Sequence, residues 1–466
     1  MHSIDLPGFI GSAVISPRHL PAICCNFVPT AGILKPLCKG NPHGIAGKYG
    51  KCRAKLVGKA IVAKRLVFHL GGYDPITSHA SAQRRFVREL GRFEATWSVK
   101  ASIDSLQEGI DQTRWRVDTH GPNWHVETDY RVIRWDDVIE NFGRQTFWRR
   151  IQLGVIAFVD FISAGAFRGY LRTSWYYAGF FLYPFVMFDV MIATAIFAAI
   201  FAMVKIRSVL IAIATGLFVL AALFVGPWRW LHLNTLFDDW IFAHDYIRNR
   251  NTALEQRLDG IAGEMIVAAR SADADEILVV GHSLGAVLAI DLLGRALQRD
   301  PMLGATGTPV TLLSIGSSIL KIGLHRGAGR FRAAAERVAL APGIFWGDYQ
   351  SRIDIMNFYN TNPMAEMSLT TKHGPVVRFI EFSRALERGV YRRIRLRFYR
   401  LHCQFISGND KRDFYDYFML VCGPISAKSQ TLASEGALSM IGEDGRLVGT
   451  DAGREPIGEP APPVSA

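Results

Sequence analysis

Cysteine is scarce in this chain: six residues in 466, with no Cys-x-x-Cys pair. Cys24, Cys25, Cys38 and Cys52 lie in a weakly patterned N-terminal stretch, and Cys403 and Cys422 stand far along the chain. That distribution speaks against a disulfide framework and against zinc spacings, and reduced structural thiols are expected. A secretory leader is not expected either. Met1-His2-Ser3-Ile4-Asp5 has no basic start, and Pro7, Pro17 and Pro21 interrupt any apolar core. Acidic residues are outnumbered, 41 against 53 Lys and Arg, for a formal net charge of +12. No basic run accompanies a nucleic-acid module, so the excess suits an anionic membrane surface rather than nucleic acid. No metal site and no cofactor motif is expected either.

Charge itself is missing from two long stretches. None occurs from Val190 to Val204 or from Ser208 to Trp228, and Lys205-Ile206-Arg207 separates the two. About 20 apolar residues span a hydrocarbon core of ~30 Å. Counting back from Val204 by that length reaches Pro184, a reasonable helix start. The expectation is a two-helix transmembrane hairpin over about 184–204 and 208–228, within a membrane-associated insertion at 151–230. Trp175, Tyr176, Tyr177, Trp228 and Trp230 would then share one interface as an aromatic belt. Residues 151–167 are apolar but shorter and contain Asp160, so an interfacial or core helix is expected there. Asp189, inside the first span, is read as a carboxylate near enough to the interface to reach headgroup water.

The remaining chain alternates strand and helix patterns. Residues 1–63 are rich in Gly, Pro, Cys and Lys and read as a loosely ordered basic extension. A first folded part, 64–150, opens with the strand pattern Lys64-Arg65-Leu66-Val67-Phe68-His69-Leu70 running into Gly71-Gly72-Tyr73. An amphipathic helix at 81–96 follows, with Phe86, Leu90 and Phe93 on one face. Strands are expected near 98–104, 113–119 and 124–135, with a turn over 118–123. A second part, 231–425, starts with a helix over 238–270, whose stripe is Leu254, Leu258, Ile261, Met265 and Ile266. Strands near 310–316 and 344–351 flank a helix at 328–339. The small, polar residues of 426–466 read as a disordered tail. This rhythm implies an α/β fold with a mainly parallel sheet flanked by helices.

The most specific feature is Glu276-Ile277-Leu278-Val279-Val280-Gly281-His282-Ser283-Leu284-Gly285. An apolar β-branched run meets a Gly-x-Ser-x-Gly turn, and a helix pattern follows. On such a turn the serine Oγ is exposed, and the two glycines allow close backbone approach. The bland alternative is a tight βα turn whose Ser283 caps the helix.

With Gly281-His282-Ser283-Leu284-Gly285 in that setting, the chain resembles the α/β-hydrolase superfamily, and its lipase and esterase branch in particular. The resemblance covers about 64–100 and 270–423. It implies a serine nucleophile followed by an acid and then a histidine. For the acid it implies Asp354 at the end of the strand near 344–351, with Asp348 as runner-up. For the base it implies His402, with His373 second and His325 third, because His325 precedes the acid. One oxyanion donor would be the amide of Leu284. The other would come from His69-Leu70-Gly71-Gly72-Tyr73, through Gly72 or Tyr73, although Gly71-Gly72 also reads as an ordinary tight turn. The implied function is a membrane-anchored serine hydrolase cleaving an ester-type acyl substrate, a lipid ester among the candidates. A catalytically silent scaffold is the alternative, as is a thioesterase, amidase or acyltransferase with the same triad.

Charge bias suggests orientation. Arg144, Arg149, Arg150, Arg168 and Arg172 precede the hairpin, and Arg229, Arg248 and Arg250 follow it, whereas its tip carries Lys205 and Arg207. Both hydrolase parts are therefore expected on the cytoplasmic side. The run Ile394-Arg395-Leu396-Arg397-Phe398-Tyr399-Arg400-Leu401 reads as a strand. Arg393, Arg395 and Arg397 would share one face, as a charged sheet edge or a dock for anionic lipid.

Overall fold

A computed structural model describes residues 61–73 and 79–448. The extension expected at 1–63 therefore lies almost wholly outside the described residues, as does 449–466. At the centre is a mixed, mostly parallel sheet in the order β2-β4-β5-β1-β6-β7-β8-β9, with β3 pairing β4. These strands are β1 Lys64–Leu70, β2 Lys100–Ile103, β3 Gln107–Glu108, β4 Gln112–Gly121, β5 Trp124–Ile133, β6 Glu276–His282, β7 Val310–Ile315, β8 Ile344–Ser351 and β9 Val376–Ile380. From β5 through β9 all neighbours along the sheet are parallel, whereas β2, β3 and β4 form an antiparallel wing.

Burial follows position in the sheet. β6 and β7 are buried at every residue, as near-continuous apolar strands covered on both faces must be. β4 instead alternates, burying Thr113, Trp115, Val117 and Thr119. Its hairpin turn is confined to Pro122-Asn123, because the strand runs on to Gly121, beyond the start of the turn expected at 118. Phe68 and Leu70 of β1 join one apolar cluster and Val67 joins the other, so a core lies on each side of the sheet.

Helices cover both faces. They are α1 His79–Trp97, α2 Asp136–Gly143, α3 Phe147–Ser163, α4 Ala166–Thr173, α5 Trp175–Ile206, α6 Val209–Val225, α7 Leu233–Ile247, α8 Thr252–Ser271, α9 Gly285–Arg299, α10 Gly329–Leu340, α11 Arg388–Ile394 and α12 Phe398–His402, besides shorter turns. The helix expected over 238–270 is two. The chain breaks between α7 and α8, where Asn249 has a left-handed φ of 56°.

Among the described residues, α5 is the one single helix long and apolar enough to cross a bilayer. It starts at Trp175 rather than near Pro184, which lies inside it. The Ser174 Oγ accepts the Tyr177 amide at 3.3 Å and caps the helix, and no residue before Pro184 breaks it. α6 follows after Arg207 and Ser208 and ends at Val225, short of the expected 228. A Cβ on Gly216 would lie 3.0 Å from the Ala199 Cβ, so α5 and α6 touch through small residues. Only 22 % of the apolar window of α5 is buried, which sets it apart from a core helix. Asp189 is exposed on it.

α3 and α4 meet at a 68° bend. α3 buries Gly154, Ala157 and Phe161 while leaving Trp148, Val155 and Val159 exposed. A Cβ on Gly154 would meet Phe237 of α7 at 2.2 Å, so that glycine sets the close packing of the two helices.

Two further expectations are corrected. Residues 394–401 are not a strand: they run from the end of α11 through a turn at 395–397 into α12, with Arg395 N bonded to Tyr391 O at 3.0 Å and Leu401 N to Arg397 O at 2.9 Å. Alternation there has no neighbouring strand edge to pair with, and local helical bonds satisfy the backbone instead. Residues 426–448 are not a disordered tail. Ala427–Leu432 is helical, its Ala427 amide donates to buried Glu276 at 3.0 Å, and Ile441 bridges Leu447.

Candidate active site

The carboxyl ends of β1 and β6 lie side by side, Leu70 opposite Gly281. The chain leaves β1 toward β5 on one side and continues from β6 toward β9 on the other. That reversal opens a crevice beyond the strand ends. Ser283 sits in it, between β6 and α9, with a left-handed φ of 57°. A non-glycine residue adopts this only where its surroundings hold it. Here they do: Ser283 N donates to Ile315 O at 3.1 Å, and Ser283 O accepts from Ala286 N and Ser318 N.

The two motif glycines have steric reasons. A Cβ on Gly281 would lie 2.4 Å from Ala286 Cα, and one on Gly285 would lie 2.0 Å from Leu70 O. Either methyl would push α9 off the strand ends. Gly72, at the end of the β1 loop, comes as close: a Cβ there would lie 2.8 Å from the Ser283 Cβ and 3.3 Å from its Oγ. The Ser283 side chain makes no hydrogen bond to a described residue, so it does not act as the helix cap that the bland reading required. The amides of Gly72, Tyr73 and Leu284 likewise have no acceptor among the described residues.

His402 Nδ1 and Asp354 Oδ2 are 2.7 Å apart, and both residues are buried. Asp354 lies in the loop after β8, where its Oδ1 accepts the Met356 amide at 3.0 Å and its carbonyl accepts from Asn357 Nδ2 at 2.6 Å. A fixed carboxylate assigns the ring proton to Nδ1 and leaves Nε2 as an acceptor. That Nε2 is buried with no hydrogen-bond partner. It belongs to a residue lining the same cavity as Ser283, Leu284 and Gly72.

The runners-up lie elsewhere. Asp348 is inside the sheet on β8, bonded to Ser314, Ser317 and Gln350, and burial pushes its carboxyl up to about 6. His325 Nε2 faces Asp160 at 3.2 Å, away from Ser283, in a cluster with Arg248 and His244. His373 is exposed in the turn before β9.

No protein-family model, no curated protein and no solved structure matches this chain.

Besides His402, three histidines line the cavity, His69, His232 and His282, and the sequence singled out none of their side chains. The His282 ring lies 4.6 Å from that of His402, and its Nε2 is 3.2 Å from the His402 carbonyl. Burial, then proximity to His402 and His69, lowers its basicity well below the ordinary range. His69 Nδ1 is 3.0 Å from Tyr417 Oη, which is 2.6 Å from Tyr130 Oη. Burial, reinforced by Arg85, pushes His69 down to about 4. If Tyr130 donates to Tyr417 and Tyr417 to His69, both hydroxyl protons are used; the reverse order strands the Tyr130 proton. That arrangement leaves the neutral His69 ring with its proton on Nε2. Tyr417 was invisible as a partner because it lies more than 340 residues away.

Proposed function

We propose that this chain is a membrane-anchored serine hydrolase with an α/β-hydrolase-like sheet, acting on an ester-type acyl substrate. The observation that carries the reading is the buried His402–Asp354 pair, whose unpartnered Nε2 lies in the cavity lined by Ser283. A buried imidazole acceptor held by a carboxylate, on a residue that lines the same cavity as an unbonded serine, is what a nucleophile and its base require.

In this reading Ser283 Oγ attacks the ester carbonyl carbon while His402 Nε2 takes its proton. Asp354 holds the imidazolium and its tautomer. The oxyanion would be met by the amide of Leu284 and by that of Gly72 or Tyr73. Collapse breaks the ester C–O bond, and His402 returns the proton to the departing alcohol. Water then adds to the acyl-enzyme with His402 again as base, releasing the acid and free Ser283.

The anchor would be α5 and α6. At 1.5 Å per residue the 17 residues of α6 reach ~26 Å and the 32 of α5 ~48 Å. β1, β5 and β6 share one sheet, so any excursion across a bilayer between β5 and β6 must return to its starting side. Two crossings meet that requirement. The arginines flanking this hairpin favour the cytoplasmic side for the sheet.

A fluorophosphonate probe tests the chemistry. The detergent-solubilised wild type is expected to label, and Ser283→Ala is expected not to. Absence of wild-type labelling, while a control hydrolase reacts in the same detergent, would leave a catalytically silent fold. A panel of esters, thioesters and amides of graded chain length then separates the acyl chemistries.

A further inference from the structure

Residues 388–400 contain six arginines and no acid. All six, Arg388, Arg392, Arg393, Arg395, Arg397 and Arg400, are exposed. Arg393 donates to the Gly389 carbonyl at 3.3 Å, and among the described residues none of the six has an acidic partner. Elsewhere most arginines of this protein are committed, as Arg150 is to Asp238, Arg257 to Asp137 and Arg295 to Asp291. Like charges this dense repel one another, yet α11, α12 and the turn between them hold these arginines together, and among the described residues no carboxylate forms an ion pair with them. Between Arg395 and Arg397 stands Leu396, 84 % exposed.

The segment's position gives this surface a direction. Phe398 and Tyr399 line the cavity that holds Ser283 and His402. Phe398 also meets Phe180 of α5, with ring centroids 6.4 Å apart, and Phe180 lines the cavity as well. One turn before Phe180, Trp175 and Tyr176 are exposed at the start of the long apolar helix. A bare cationic surface with an apolar tip therefore adjoins both the mouth of the cavity and the aromatic end of α5. Aromatic side chains favour the headgroup layer, and arginines beside them favour anionic lipid.

We propose that residues 388–400 dock on the anionic headgroups of a bilayer, with Leu396 entering it, and thereby set the mouth of the Ser283 cavity at the lipid surface. The substrate is then an ester resident in the bilayer, drawn along Phe180 and Phe398 rather than captured from water. The docking stands on the arginines and their placement; the substrate class rests on the serine hydrolase reading.

Hydrogen exchange of the full chain in lipid nanodiscs tests the docking without requiring activity. In discs of phosphatidylcholine with phosphatidylglycerol, exchange over 388–400 is expected to slow on the order of tenfold relative to phosphatidylcholine alone. High salt should erase the difference, and so should the combined variant Arg392→Gln, Arg393→Gln, Arg395→Gln and Arg397→Gln. Equal exchange in the two discs overturns the proposal, as does slowing by a soluble polyanion but not by the anionic disc. For the substrate class, the variant should lose most hydrolysis of a bilayer-embedded ester and keep its rate on a soluble short-chain ester. Equal loss on both esters overturns the assignment. If Ser283 does not label with fluorophosphonate, the hydrolase reading and with it the substrate class fail, while the exchange result still decides the docking.

Discussion

At the residue scale the site depends on where a few polar atoms are left without partners. The His402–Asp354 bond fixes one ring nitrogen and leaves the other empty. Asp354→Asn preserves the shape but would present an amide where the tautomer needs a carboxylate. Under the proposed hydrolase function, turnover of a short-chain ester is expected to fall by about 10³–10⁴, with KM little changed; steady-state kinetics in detergent check it. His69 gives a separate, thermodynamic expectation. Its folded basicity is depressed, to about 4 from 6.5, so below pH 6.5 the unfolded chain binds a proton that the folded chain refuses. Its contribution is therefore lost as pH falls from about 6.5 toward 4. His69→Gln should flatten the stability profile in that window by about 2–3 kcal/mol. Thermal unfolding at pH 4.5 and 7.5 reads the difference, and an unchanged slope would remove His69 as its cause. Of these groups Ser283 stands out in the sequence, whereas Asp354 and His402 come first among several candidates through the resemblance and are paired by the tertiary structure. His69 could be placed at a strand end but not given its side-chain role, because that role is made by Tyr417 and Tyr130.

Among the elements, the junction of β1, β6 and α9 is closely packed through glycine. Gly285 is needed because its missing side chain leaves room for the Leu70 carbonyl. Gly285→Ala is expected to destabilise by a few kcal/mol, seen as a lower melting temperature and weaker fluorophosphonate labelling together. The insertion is tied to the fold in a different manner. Arg150 of α3 donates to Asp238 of α7 at 2.6 Å, and both side chains are buried. Burial pushes the Asp238 carboxyl up to about 6 even with Arg150 opposing it. Arg150→Met leaves that carboxylate unpaired and should cost about 3–5 kcal/mol at neutral pH. The loss should shrink in the double variant with Asp238→Leu; denaturant titration of all three proteins gives the comparison. In the sequence Arg150 reads only as one of several flanking cations, since a partner 88 residues on cannot be inferred from local pattern. Alternation misled in the same manner at 394–401, where period two matched a strand and no strand edge was there to receive it.

For the whole molecule, the sheet closes across the helical insertion between β5 and β6. β1 and β5 come before α3 to α6 and β6 comes after, yet β1 lies between β5 and β6. A true two-helix anchor predicts that alkaline carbonate leaves the protein in the membrane pellet; release into the supernatant would mean that α5 and α6 do not span. α3 also exposes the apolar side chains of Trp148, Val155 and Val159. Part of the chain's positive charge is local: residues 388–400 hold six arginines and no acid.

The amino-acid sequence by itself determined the features that are local in the chain. Apolar β-branched runs made β1, β6 and β7 buried parallel strands, and long charge-free runs made α5 and α6 apolar helices. Gly281-His282-Ser283-Leu284-Gly285 made the sharp turn, because glycine spacing and backbone geometry act within five residues. Tertiary structure alone decided which carboxylate meets which histidine, how Tyr130 and Tyr417 orient His69, and where the arginines of 388–400 face. It also ordered 426–448 through contacts with the distant Glu276. The physical reason is range: propensity and patterning act over a few residues, whereas these contacts join groups 48 to 348 residues apart.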